Sequence, residues 1–231
     1  MLPLATNLKI IKTAWATYAI IGLNTAIHVV ISWETNFIIS DKITHRFGFV
    51  PASISSLNVS AIPTLVTSIF LHGDLFHLFG NMIFLFVFGR RLENQLEKLS
   101  FSALYLSAGT AACLVHALMV PDSTAPLIGA SGAISGVLGG FFICNPRARV
   151  TLVLDPVLIY FLCRLCVRVP AWIFLPVWFF LQVWMGLKQH ETHVAFWAHV
   201  GGFLAGGIVA LAVYQHISKE NFYPTRTTHS R

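Results

Sequence analysis

Three short groups of residues in this 231-residue chain carry side chains suited to chemistry. The first is Gly129-Ala130-Ser131-Gly132. A serine flanked by glycines can expose its Oγ to an approaching carbonyl, because no neighbouring Cβ stands in the way. If a helix starts here, its free N–H groups also favour a developing oxyanion. Followed by Gly136, Gly139 and Gly140, the same stretch equally suits close helix packing, and alone it leaves both readings open. The second group is Ala198-His199-Val200-Gly201-Gly202-Phe203-Leu204-Ala205-Gly206. A neutral imidazole is a good proton acceptor, and Gly202 and Gly206, three and seven residues on, share its helical face. They would let another helix come close enough for His199 to reach Ser131 Oγ, about 2.6–3.2 Å in an active pair. A histidine satisfied by a neighbouring carbonyl or hydroxyl is the plainer alternative.

The third group runs from His72 to Asn81. His77 and Asn81 are four apart and share a helix face. Both can donate hydrogen bonds, and donors aimed at one point make an oxyanion hole. A metal site is the rival reading, but His72 and His77 are five apart, a poor helical spacing, and the face is short of carboxylates. No metal is therefore expected. His190 and His193 lie in a charged stretch and read as a solvated pair.

These residues must be positioned by membrane-embedded elements. The chain is 56% hydrophobic and only 10% charged, with a mean hydropathy of +0.73. A soluble domain carries about a quarter charged residues. A bilayer core needs roughly 20 apolar residues as helix. Six segments qualify or come near: 13–32, 75–91, 101–120, 131–144, 170–187 and 195–214. The first is too long for a signal-peptide core and lacks a small-x-small cleavage site, so it reads as a retained span. The fourth is short, and a short helix starting below the surface must be surrounded by protein rather than lipid. The expected fold is an all-α membrane protein: a cytoplasmic N-terminus (1–12), one six-helix domain (13–216) and a flexible cytoplasmic tail (217–231). Residues 34–73 mix charges with apolar clusters and are expected to lie partly in the interface. The 145–169 stretch is interrupted by Asp155 and Pro156 and reads as an interfacial loop.

Orientation follows from the basic residues. Six spans put both termini on one side, which then holds 12 of the 15 Lys and Arg residues; only Lys42, Arg46 and Lys188 fall on the other. Acidic residues divide almost evenly, so the positive-inside rule places both termini in the cytoplasm. All three polar groups then lie near the non-cytoplasmic face, where ionisable side chains inside spans mark a site by their cost. Scattered between apolar runs, the net charge of +6 forms no basic face, which argues against nucleic acid as a partner. Cys113, Cys144, Cys163 and Cys166 read as apolar filler. The Cys163-x-x-Cys166 pair lacks the second pair of a zinc site and the βαβ pattern of a redox motif.

The combination resembles the rhomboid family of intramembrane serine proteases. The matching pieces are Phe70-Leu71-His72 through His77 to Asn81, Gly129-x-Ser131-Gly132, and Ala198-His199 with Gly202 and Gly206, over about Pro63 to Val213. The resemblance implies a Ser131–His199 dyad without a third carboxylate. It implies an oxyanion hole from His77, Asn81, the Ser131 amide and Gly129, and helix packing at Gly132, Gly136, Gly202 and Gly206. It implies no cofactor. Its substrates would be single-span membrane proteins, cut near the outer face at small residues beside helix-destabilising sequence, with lipid as the surroundings. A compact chain without a large soluble domain fits a bacterial plasma membrane. A rhomboid-like protein that only binds membrane clients is the rival. A transporter should show paired halves with broken helices, which are not evident. Two departures from the family pattern stand out. Pro63 and Thr64 occupy the positions of a frequent Trp-Arg pair, and Ser135 stands where some members stack an aromatic on the histidine.

Overall fold

A computed structural model of the chain describes residues 2–35, 38–55, 59–153, 166–188 and 194–222. Six apolar helices dominate it: α1 (Trp15–Ser32), then, beyond a short helix α2 (Asp41–Phe47), α3 (Leu75–Leu96), α4 (Lys98–Met119), α5 (Ser131–Cys144), α6 (Ala171–Leu187) and α7 (Phe196–Phe222). Among the described residues, four are long and apolar enough to cross a membrane: α1, α3, α4 and the 196–216 part of α7. α5 and α6 are shorter, at 14 and 17 residues. α5 is the central element, and every residue from Gly132 to Phe141 is buried. That is the protein-enclosed position its brevity required, because a backbone ending inside lipid would leave polar groups unsatisfied.

Boundaries shift where charge is absorbed locally. α3 continues past Arg90 to Leu96, through a wide-turn π-helical segment at Leu85–Gly89. The Arg90 guanidinium lies 3.4 Å from the Phe86 ring centre, and its Nε donates to Phe86 O at 2.6 Å. A cation seated on a ring and a carbonyl need not end a helix. α7 likewise runs through 217–222, which composition assigned to the tail; the last nine residues, 223–231, lie outside the described ones.

The all-helical expectation needs one amendment. Strands β1 (Leu2–Thr6), β2 (Arg149–Val153) and β3 (Cys166–Pro170) form an antiparallel sheet in the order β1-β2-β3. Thr6 pairs with Val150, and Val150 with Val169. β2 alternates inward Val150 and Leu152 with outward Arg149, the period-2 pattern of a sheet with one buried face. The N-terminus and part of the 145–169 connection are thus one structure. Asp155, Pro156, Cys163 and Arg164 fall outside the described residues, as do His190, Glu191 and His193.

The start of α1 is held by another helix. Ala14, its N-cap, provides no side-chain bond. Instead, buried Glu93 of α3 accepts from Ala16 N (2.9 Å), Thr17 N (2.8 Å) and Thr17 Oγ1 (2.8 Å). A carboxylate at a helix N-terminus satisfies orphan donors and complements the dipole. Glu93→Ala is expected to lower the unfolding free energy by about 2–4 kcal/mol, since buried donors lose their acceptor. Glu93→Gln, which keeps one carbonyl, should cost less; thermal unfolding in detergent reads both.

Candidate active site

The start of α5 is fixed by the segment upstream of α3. Phe49 and Leu127 exchange backbone hydrogen bonds of 3.0 and 2.7 Å. Phe49 itself is fully buried beside Cys113 and Ala117. Gly129 N–H donates to Ser68 O at 2.9 Å, and Ala130 N–H to His72 Nε2 at 3.5 Å. Gly129 takes φ +118°, a region L side chains avoid. Ile134 N–H then closes the first turn on Ala130 O at 2.9 Å. The N–H groups of Ser131 and Gly132 precede that closed turn, where a helix has donors to spare.

The α3 pair faces this turn. Asp74 caps α3 by accepting from His77 N at 2.8 Å. Gly73 N–H donates to His77 Nδ1 at 3.4 Å, so the ring proton sits on Nε2. A Cβ added at Gly129 would lie 2.7 Å from that Nε2 and 3.8 Å from Asn81 Nδ2. Both donors therefore converge on the backbone just before Ser131. Asn81 Nδ2 is buried without a partner. Gly129 thus lies beside the His77 ring, with its own N–H bonded to Ser68 O.

Ser131 Oγ lies 2.9 Å from His199 Nε2. The approach depends on backbone-to-backbone contact between α5 and α7, where Gly132 and Gly136 face Gly202 and Gly206. A side chain at Gly202 or Gly206 would collide with a carbonyl of the facing helix, the close packing that small residues permit. On its other side His199 Nδ1 lies 2.8 Å from Gln182 Oε1 of α6. The ring is flanked by Trp178 (centroids 6.0 Å, 32°) and Phe196 (6.5 Å, 86°). Ser135 Oγ donates to Ser131 O at 2.7 Å.

These groups line one cavity of about 290 Å³, walled by Phe76, His77 and Asn81 of α3, Ser131 of α5, Trp178 of α6 and His199 of α7, among others. Its lining is mainly apolar with a few polar groups, the usual form of a binding site. A second depression of about 340 Å³ surrounds the start of α1. Its carboxylates are taken up by the Glu93 cap and an exposed Lys12–Glu97 pair at 3.4 Å. Among the described residues no three His, Cys, Asp or Glu side chains are grouped to hold a metal. Cys113, Cys144 and Cys166 are free.

Sequence reasoning missed Gln182, Trp178 and Phe196. Gln182 had a usable signal: it is the lone amide in an otherwise apolar 171–187 segment, and polar groups inside spans are costly enough to need a reason.

The family model described as Rhomboid domain matches residues 60–216. RHOMBOID-like protein 5 of Arabidopsis thaliana is 40% identical over 75 residues, covering 32% of this chain and 24% of that protein. Rhomboid protein 1, mitochondrial, of Saccharomyces cerevisiae is 30% identical over 165 residues, covering 68% and 43%. Presenilin-associated rhomboid-like protein, mitochondrial, of Bos taurus is 34% identical over 94 residues, covering 40% and 25%. The chain thus matches less than half the length of each. Two of the three carry mitochondrial names, which gives no support to the bacterial plasma membrane expected from chain size. With the match spanning most of the chain and including every residue of the cavity just described, this integral membrane protein belongs to the rhomboid family.

Proposed function

We propose that the chain is an intramembrane serine endopeptidase that hydrolyses peptide bonds in the transmembrane segments of other membrane proteins. The observation that carries this reading is the 2.9 Å Ser131 Oγ–His199 Nε2 contact at the wall of a cavity inside the helix bundle. Ser131 Oγ attacks the scissile carbonyl while His199 Nε2 takes its proton. The tetrahedral oxyanion is met by His77 Nε2–H, Asn81 Nδ2–H and the Ser131 N–H. Collapse breaks the C–N bond, and the imidazolium returns the proton to the leaving amine. Water then enters, gives a proton to Nε2 and attacks the ester; collapse breaks the ester C–O bond, releases the second fragment as the acid, and the imidazolium returns its proton to Ser131 Oγ.

A transmembrane helix bonds its own carbonyls, so the substrate must unwind locally before attack; single-span proteins with helix-destabilising sequence beside small residues are the substrates this favours. The scheme needs no metal or cofactor. In this reading α5 and α6 complete a six-span bundle, both termini are cytoplasmic, and the site opens to the opposite side. The charge asymmetry of the sequence supports that orientation.

The direct test is labelling by a fluorophosphonate probe in detergent. Native protein is expected to label and Ser131→Ala to remain dark; equal labelling of both would remove Ser131 from the chemistry. Asn81→Ala is expected to lower kcat by up to about 10²–10³-fold, the effect of one oxyanion donor, with probe labelling slowed but not lost.

A further inference from the structure

α6 is the lightly packed wall of the cavity. Trp172, Val177, Phe180, Leu181 and Trp184 are all exposed at its surface. Pro176 sits inside it and cannot donate a helix hydrogen bond. Against α7 it presents Trp178 and Phe179, which meet Phe203, and, at helical spacing beyond Trp178, Gln182 and Gly186. A Cβ at Gly186 would come within 2.9–3.2 Å of the Trp197 ring, so the glycine lets the two helices meet. One turn earlier α6 delivers Gln182 Oε1 to His199 Nδ1 at 2.8 Å. A turn before that, it delivers Trp178 to the face of the same ring.

Geometry dictates what the Gln182 contact does. A carbonyl oxygen only accepts, so Nδ1 must carry the proton and donate it. Nε2 is then left with its lone pair, facing Ser131 Oγ at 2.9 Å. The opposite tautomer would place a proton between the two and leave the hydroxyl without a base. In a neutral imidazole, the bond made by one nitrogen sets the state of the other. Among the described residues no carboxylate is a hydrogen-bond partner of His199. We propose that Gln182 is a positioning residue for this reaction: its side-chain carbonyl holds His199 as the Nδ1–H tautomer and fixes the ring against Ser131. Because α6 brings both Gln182 and Trp178, the base is fully oriented only while α6 is seated against α7. This inference rests on the dyad reading above.

The blander account is that an amide in a span merely needs a partner and His199 supplies one. Gln182→Leu and Gln182→Met separate the two accounts, since both are close in size and better suited to lipid, so folding should not suffer. In the full-length protein in detergent, both are expected to lower kcat by about 10- to 10³-fold, below the roughly 10⁴-fold cost of a wrong tautomer in a serine protease triad. KM should stay within about twofold, because the substrate does not touch Gln182. Gln182→Glu keeps an acceptor and should retain most activity. ¹⁵N spectra of the histidine rings, with His199 assigned by difference from His199→Ala, should report Nδ1–H in the native protein and Gln182→Glu, and a tautomer mixture in Gln182→Leu. Native turnover in both apolar variants, or a loss of turnover with the His199 tautomer unchanged, would overturn the proposal. Ser131→Ala run alongside isolates the dyad reading: if that variant still cleaves, the dyad fails; if it is inert while Gln182→Leu is fully active, only the role of Gln182 falls.

Discussion

Ser131→Ala and His199→Ala are each expected to reduce cleavage of a reporter transmembrane substrate by about 10⁴- to 10⁶-fold, with the double variant no worse than either single one. The expectation follows from the contact itself. Oγ and Nε2 lie 2.9 Å apart, and neither is useful alone. A serine without a base keeps its proton, and a base without a hydroxyl has no proton to take. Folding should be spared in Ser131→Ala. The residue stands at the first position of α5, alanine is the best helix former, and among the described residues this Oγ bonds only to His199. Cleavage at native rate by a purified, folded Ser131→Ala protein would end the nucleophile assignment. Additive losses in the double variant would show that the two residues do not act as one unit.

The second large effect is structural. Gly206→Ala is expected to destabilise the bundle by about 1–3 kcal/mol, as overpacking does, and to lower activity on the order of 10²-fold. The new Cβ would land on the backbone of Gly136, its O, C and Cα atoms. Backbone, unlike a side-chain tip, cannot swing aside, so α5 and α7 must separate. Those helices carry Ser131 and His199, and a shift of about 1 Å at a reacting pair is costly out of proportion to its size. Gly22→Ala provides the control. Nothing lies within 4 Å of a Cβ there, so that change should be neutral or gain about 0.5–1 kcal/mol from helix propensity. Thermal unfolding in detergent, paired with turnover, distinguishes the two. A Gly206→Ala protein as stable and active as the native one would mean that the α5–α7 contact is looser than described.

The same contact shows what could be read in advance. Gly132, Gly136, Gly139 and Gly140, with Gly202 and Gly206, stand out in the sequence as packing positions, and Ser131 and His199 as polar residues out of place in apolar runs. What could not be read was the identity of the atoms that meet. Nothing in the sequence says that the Gly129 N–H is bonded to Ser68 O. Ser135 leaves His199 without an aromatic one turn after the nucleophile, and Trp178 and Phe196 lie beside its ring from two other positions. Glu93 is one acidic residue among nine in the sequence and proves to cap a helix starting 78 residues earlier, at Trp15.

The sequence by itself determined the helices and marked the residues out of keeping with them. A bilayer demands long apolar runs with satisfied backbones, so each span is written locally and each polar side chain within one is conspicuous. Tertiary structure alone decided the partners: β1 against β2, Glu93 against α1, Gln182 against His199. The physical reason is range. Helix formation is governed by neighbours three and four residues away, whereas a hydrogen bond between distant segments exists only once packing has brought its donor and acceptor within about 3 Å.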